Sequence, residues 1–337
     1  MPTYEPQHIL VRNLLLTANR QNAYATPVPD ANLLEHCRFD GQAFASIVPS
    51  FWDDGALSGL GHEFPTVRQN IKWDSSLQLS RHVDEWFAGW MLAQVLQEYS
   101  VTNVGAVYTH VFKPLSTTRQ AKPTTVYFED SAAIKYRMPD LVGVELTVTI
   151  PDSGPVTAQI SLTGSGRWTD GALGNAMPAV SARTLLLGSD ADVLIGASGA
   201  AASIKPRLRQ CQFKITRTIE IHRAQGGGMY AVQANVDQQR ASFSIVVRAI
   251  ATEDGAEPRT LMIANTLREV QINVNSGASA QMKIKFPNAY VKTTPVMDGK
   301  YLSWQIDAGD QDLVKVGAAE IIEATVINGQ ATYLVGA

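Results

Sequence analysis

The chain has 337 residues, 45% of them hydrophobic and 18% charged. That is enough apolar material for ordinary cores, and wholesale disorder is excluded. Its 28 basic and 31 acidic residues leave a formal charge of −3, unlike the basic footprint of a protein that grips nucleic-acid phosphates.

Met1 to His8 carries Glu5 and no Lys or Arg, so no secretory leader is expected. No apolar run approaches the roughly 20 residues of a membrane span, and no membrane partner is expected. The reading is a soluble chain made in the cytosol.

Residues 40–65 read as one long loop, and loops of this length are usually functional or belong to an interface. It carries Phe51, Trp52, Asp53 and Asp54, followed by Gly55, Gly59 and Gly61. An exposed Phe51–Trp52 pair would be a liability on a free monomer.

The next element is a helix over 81–97. Ser80 is the expected cap, and Asp84 and Glu85 suit the start of the helix dipole. Val83, Trp86, Phe87, Trp90 and Met91 form an apolar stripe, widened by Leu92, Val95, Leu96 and Tyr99. So wide a stripe predicts a core helix buried on more than one side.

Val144 to Ile150 alternates apolar and polar residues, Asp152-Ser-Gly154 is a turn, and Val156 to Leu162 alternates again. This is a β-hairpin pattern. Val144, Leu146, Val148 and Ile150 face one way, and Glu145, Thr147 and Thr149 the other.

The small, Gly- and Pro-punctuated stretch 171–178 predicts a domain boundary, giving domains at 1–172 and 178–337. Further strands are predicted at Gln212–His222, Tyr230–Val236, Phe243–Ile250, Tyr301–Ile306 and Glu320–Ile327. A second hairpin is predicted from Val270–Val274, the Asn275-Ser-Gly277 turn and Met282–Phe286. A weaker helix is predicted at 257–267, with Pro258 in its first turn.

The two halves look related. Leu34-Glu-His-Cys37-Arg-Phe39 and Leu208-Arg-Gln-Cys211-Gln-Phe213 share an L-x-x-C-x-F frame. At the same offset Ile71 meets Ile245 and the two helices coincide. The order of elements points to an internal duplication.

Catalytic patterns are missing from the sequence. No P-loop, dinucleotide fingerprint or G-x-S-x-G elbow occurs. Asp152-Ser-Gly-Pro155 is accounted for as a turn, since none of the six His residues has the setting a triad gives its base. The His residues have no metal-ligand spacing, and Asp310 with Asp312 reads as a solvated loop pair. Cys37 and Cys211 read as small buried hydrophobes. Arg207, Arg209, Arg217 and Arg223 could share one strand face, a device for protecting an edge or making an interface. No enzyme, cofactor or metal is expected. Trp52, Trp73 and Trp168 leave open a two-domain carbohydrate-binding module.

One resemblance rests on the order of features. The long N-terminal segment leads to Gly61-His-Glu-Phe-Pro-Thr66 and a strand ending in Trp73. Ser76-Leu-Gln-Leu-Ser80, the helix, Tyr108 to Pro114, Pro123 to Phe128 and the 144–164 hairpin follow. The second half carries Phe286-Pro-Asn-Ala-Tyr290 and Asp298 to Trp304 before a last strand. In this order the chain resembles the major tail tube proteins of long-tailed bacteriophages, in their duplicated form.

The resemblance implies a mainly β fold of two tandem β-sandwich or barrel domains, each with a flanking helix. It implies self-assembly: three chains form a pseudo-sixfold ring whose inner strands close into a β-ring, and rings stack into a conduit for DNA ejection in the virion tail. Other tail proteins (tape measure, terminator, baseplate) are the implied partners, with DNA passing through unbound. Glu145, Thr147, Thr149, Thr157, Gln159 and Ser161 are the candidate lumen face, and Phe51, Trp52, Asp53 and Asp54 the candidate inter-ring contact. Another ring component of the virion, such as a terminator, baseplate or decoration protein, is the alternative.

Overall fold

Alternating apolar and polar residues carry most of the chain into strands. The computed structural model describes residues 13–37, 43–53, 68–116, 118–129, 134–224, 228–249 and 266–334. In chain order the first half forms β1 (Asn13–Leu16), β2 (Glu35–Cys37), β3 (Ala43–Asp53), β4 (Arg68–His82), helix α1 (Glu85–Val95), β5 (Glu98–Val104), β6 (Val107–Lys113), β7 (Thr124–Glu129), β8 (Lys135–Pro151), β9 (Thr157–Gly164) and β10 (Thr169–Asp170). The second half forms β11 (Ala191–Ala197), β12 (Ala200–Ser203), β13 (Leu208–His222), β14 (Gln233–Arg248), β15 (Arg268–Asn275), β16 (Gln281–Ala289), β17 (Lys292–Asp298), β18 (Tyr301–Ala308) and β19 (Glu323–Asn328).

These strands build two antiparallel sheets. The larger runs β17-β18-β14-β13-β8-β7-β1-β2, with β9 branching from β8, β4 from β9 and β3 from β4. The smaller runs β12-β11-β15-β16-β19-β6-β5. The fold is mainly β. Strands of the two halves pair directly, at β8–β13 and at β6–β19, and one apolar core continues through both. The segment 171–178 lies in the connection between β10 and β11.

Strand β8 changes neighbours part-way. Its early residues pair with β7, and Glu145 to Thr149 pair with β9 on one side and β13 on the other. The bend is built at Asp140, whose φ of 63° is left-handed. Its buried carboxylate holds that conformation. Oδ1 accepts from the Gln21 side chain (2.9 Å) and the Ala25 N–H (2.8 Å), and Oδ2 accepts from Ser165 (2.5 Å) and Arg167 (3.2 Å). Asp tolerates this region because its short side chain can bond locally. Close by, a Cβ on Gly143 would stand 2.7 Å from the Gln94 carbonyl oxygen, so only glycine lets α1 approach β8 this closely.

Helix α1 packs on β8 and β13 of one sheet and on β6, β16 and β19 of the other. Every residue from Trp86 to Val95 is buried, as the wide stripe predicts. Phe87 and Trp90 stack at 5.4 Å, and Trp90 Nε1 donates to the Thr17 carbonyl at 3.0 Å. Burying each such large side chain contributes about 1.5–3 kcal/mol. The helix starts later than its apolar pattern implies. Ser80 is still in β4, paired with Gln159, and Asp84 is the cap, accepting from the Phe87 N–H at 2.7 Å. The pairing of β4 with β9 wins over an earlier helical start.

Other boundaries also differ. Residues 43–53, inside the expected loop, form β3 paired along β4. The separate strands expected at Tyr230–Val236 and Phe243–Ile250 are one strand, β14, whose polar middle (Asp237 to Arg240) hides its continuity. The 144–162 and 270–286 hairpins form at their expected turns, with Gly154 at φ 85°. The helix expected at 257–267 lies outside the described residues, except for its last two positions.

Candidate assembly edges and polar face

The large sheet contains the same four-strand arrangement twice. In the first half the lateral order is β3-β4-β9-β8, and in the second β13-β14-β18-β17. In both, a long hairpin comes first in the chain, and the later hairpin is added with its second strand innermost. Every pairing is antiparallel, so strand directions repeat as well.

The two sets join head to tail. The last strand of the first set, β8, pairs with the first strand of the second, β13, from Gln210↔Pro151 to Thr216↔Glu145. Two edges are left over: β3, the counterpart of β13, and β17, the counterpart of β8. In the described structure each pairs with one neighbour only.

The duplication therefore lies in strand order and not in the residue offset the cysteines suggested. Cys37 sits in a three-residue strand at the far end of the β8-β7-β1-β2 branch, while Cys211 sits in central β13. Ile71 is exposed and Ile245 fully buried. Both cysteines are buried and unbridged, and burial raises both thiols, Cys37 to about 11 even beside Arg81.

Both open edges carry exposed apolar side chains. Val48 (52% exposed), Phe51 and Ile71 lie on β3–β4, and Met297 (68% exposed), Tyr301 and Leu302 on β17–β18. Each edge strand also contains one proline, Pro49 or Pro295. Proline in a strand marks an edge, a strand end or a bulge; interior β8 and β16 carry Pro139, Pro151 and Pro287 as well, so proline alone does not locate the two edges. Of the candidate inter-ring residues, Phe51, Trp52 and Asp53 are at the end of β3. Asp54 and the remainder of the expected loop, 40–42 and 54–65, lie outside the described residues.

All six candidate lumen residues stand on the side of the sheet opposite the core. Gln159 is exposed, and Glu145, Thr147, Thr149, Thr157 and Ser161 are half-buried. The register brings them together: Glu145↔Ser161, Thr147↔Gln159 and Thr149↔Thr157. The face continues on both sides, through Ser80↔Gln159 and Gln78↔Ser161 on β4 and through Gln212↔Thr149 and Lys214↔Thr147 on β13. Ser242 and Ser244 extend it on β14. It is a field of short polar side chains crossing the junction, with Glu145 and Lys214 paired at 2.9 Å.

The basic stretch does not form an exposed stripe. Odd-numbered residues of β13 face the core, so Arg217 is buried, donating to the Gln94 carbonyl at 2.7 Å. Arg209 pairs with Asp152, and Arg223 with Asp74. Asp310 and Asp312 pair with Arg240 (2.5 Å) and Lys292 (2.7 Å). Trp73 and Trp168 pack edge to face at 5.1 Å, against each other and not as parallel platforms for a sugar; the Trp52 side chain lies outside the description. Among the described residues no three His, Cys, Asp or Glu side chains form a metal-holding group, and no helix is long and apolar enough to cross a membrane.

No protein-family model matches the chain, and a search of curated proteins returns no match.

Proposed function

We propose that this chain is a structural subunit that closes into rings with copies of itself, and that the rings stack into a tail tube of the kind found in long-tailed bacteriophages. The observation that carries the reading is the head-to-tail join of two identical strand orders. The β8–β13 contact is a heterologous contact, and a heterologous contact between repeats generates a closed ring when its rotation closes. The same contact, repeated between chains, would pair β17 of one copy with β3 of the next. It would cover Met297 and Val48 and satisfy both rows of unpaired backbone groups.

The register is proposed by taking Leu79–Ile160 as the counterpart of Ile245–Ile306. Superposing the pair Leu79–Ile160 on Ile245–Ile306 places Ala43 on Cys211 and Leu146 on Thr293. Leu146 pairs with Ile215, four residues after Cys211. Thr293 therefore meets Ile47 of the next copy, and Thr294 meets Ser46. Core-facing positions stay core-facing across the new seam.

Three chains bring six four-strand sets, the closure the tail tube resemblance implies. The polar face with Glu145, Thr147, Thr149, Thr157, Gln159 and Ser161 then lines the conduit. A lining without net basic charge gains little counterion-release binding, so it would let DNA pass. Phe51, Trp52 and Asp53 lie at the end of β3, and with Asp54 next in sequence they are the proposed contact for a neighbouring ring. Tape measure, terminator and baseplate proteins are the further partners of this reading, and the virion tail its location. Electron microscopy of the purified chain tests it. Rings or tubes are expected, and a species that stays monomeric at high concentration rejects it.

A further inference from the structure

The two four-strand sets differ at one end. With Leu79–Ile160 matched to Ile245–Ile306, Val83 and Val156 correspond to Ala249 and Leu302, and Ile150 to Met297. A shared hydrogen bond supports the match. The Val83 N–H donates to the Val156 carbonyl at 2.8 Å, and the Ala249 N–H to the Leu302 carbonyl at 3.1 Å.

In the first set this shoulder is filled by the segment 184–188. The Leu186 N–H donates to the Val83 carbonyl at 2.9 Å, and the Leu186 carbonyl accepts from the Val156 N–H at 2.8 Å. One residue on, Leu187 bridges to Pro155. Val83, Ile150, Val156 and Leu186 are all fully buried. In the second set the corresponding Leu302 is 45% exposed and Tyr301 beside it 61%. A surface that is core in one repeat and open in the other is apolar area left in water, and covering it is favourable. Strand β18 already lies between β14 and β17, so pairing of β17 with a next copy adds no strand to β18.

The shoulder stands at the Gly299 turn between β17 and β18. In the proposed inter-copy register Met297 falls opposite Ala43. Phe51 is eight residues further along β3, about 25 Å away at the usual rise of a strand. Shoulder and tip therefore lie at opposite ends of one seam, and copies stacked in the same orientation would bring them together. The tip side is apolar as well, with Phe51 and Ile71 exposed.

We propose that the Tyr301–Leu302 shoulder receives the β3–β4 end, led by Phe51, of a copy in the adjacent ring. The inference rests on the ring reading above and names the receiving surface of its stacking contact. Tip on shoulder is a heterologous contact directed along the tube, so it does not close and the filament lengthens. Leu186 fills the other shoulder of each chain, so a ring of three chains offers three receiving sites to three tips. Ring rotations that place a tip over a filled shoulder are disfavoured.

Electron microscopy of the full chain and of Leu302→Asp is the first test. Tubes are expected from the parent, and single rings without tubes from the variant. The second test joins Phe51→Cys and Leu302→Cys in one chain, treated with a short bis-maleimide linker; Cys37 and Cys211 are buried. A denaturing gel is expected to show a ladder running beyond three chains, because the linked contact is open-ended. Tubes of Leu302→Asp as long as the parent's overturn the proposal. A linked ladder that is absent, or that stops at three chains, overturns it whether or not Leu302→Asp folds. A parent that makes rings and never tubes overturns this contact and leaves the ring reading standing. A parent that stays monomeric overturns the ring reading and this contact with it.

Discussion

Glu145 of β8 and Lys214 of β13 stand 2.9 Å apart at the seam where the two four-strand sets join. The pair is diagonal: Glu145 is in register with Thr216, and Lys214 with Thr147. Both side chains are about 42% exposed, so solvent screens the attraction and its coupling energy is expected below about 1 kcal/mol. A double-mutant cycle with Glu145→Gln and Lys214→Gln, read by urea unfolding, checks this. The seam is held by its backbone ladder and the core beneath it, and coupling well above that figure would contradict the assignment.

The inter-copy register makes a sharper prediction. Ser46→Cys and Thr294→Cys in one chain place two thiols on facing positions of adjacent copies. Directly opposed antiparallel residues have Cα atoms about 4.5–5.5 Å apart, within disulfide range. Mild oxidation is expected to give covalent dimers and then trimers on a non-reducing gel, with no larger closed species. Either substitution alone is expected to give none of this ladder, because Cys37 and Cys211 are buried. The single variants distinguish a specific seam from random collision.

Asp140 predicts a large stability effect. Its carboxylate holds a left-handed bend and four donors in a buried site. Asp140→Ala leaves those donors unsatisfied and strains the backbone. A loss of roughly 3 kcal/mol or more is expected. Asp140→Asn keeps an acceptor and a residue that tolerates positive φ, and is expected to cost less. Urea midpoints of the two variants test the order; equal losses would contradict it.

The His110 ring predicts a pH dependence. It is buried among Tyr99, Phe112 and Tyr333, with Nδ1 2.9 Å from the Tyr99 hydroxyl and Nε2 3.0 Å from Asn328 Oδ1. Burial lowers its pKa, although the hydrogen bond with Asn328 opposes this. The unfolded chain takes up the proton near pH 6.5 and the folded chain only below that. Stability contributed by this group is full above about pH 6.5 and falls as the pH drops toward the folded value. The slope is at most about 1.4 kcal/mol per pH unit. In His110→Gln this part of the profile is expected to vanish. An unchanged slope between pH 5 and 6.5 would contradict the role of the ring.

Some of this was legible in the sequence. Val144 to Leu162 declares a hairpin because its period-two pattern and its Asp-Ser-Gly turn agree, and the six polar residues on its outer face follow from that period alone. Trp86 to Val95 declares a buried helix because apolar residues leave it no polar side. Other features were not legible. Asp84 outranks Ser80 as the cap because β4 pairs with β9 through His82, a long-range contact no local pattern carries. The run from Ala43 to Asp53 looked like loop because Ser and Pro interrupt its alternation, yet β4 supplies a partner along its whole length. The repeated strand order lies in pairings, and pairings leave no trace in a Cys37–Cys211 offset. Arg217 reads as part of an edge or interface row until the fold encloses it.

The central claim is that β3 and β17 are satisfied by copies of the same chain. Cryo-electron microscopy of the purified protein tests it most directly. The account predicts closed rings of three chains with an unbroken β-barrel, in which β17 pairs antiparallel with β3 of the next copy and Thr294 faces Ser46. Single copies with both strand edges open to solvent, or rings joined through any other surface, would contradict it.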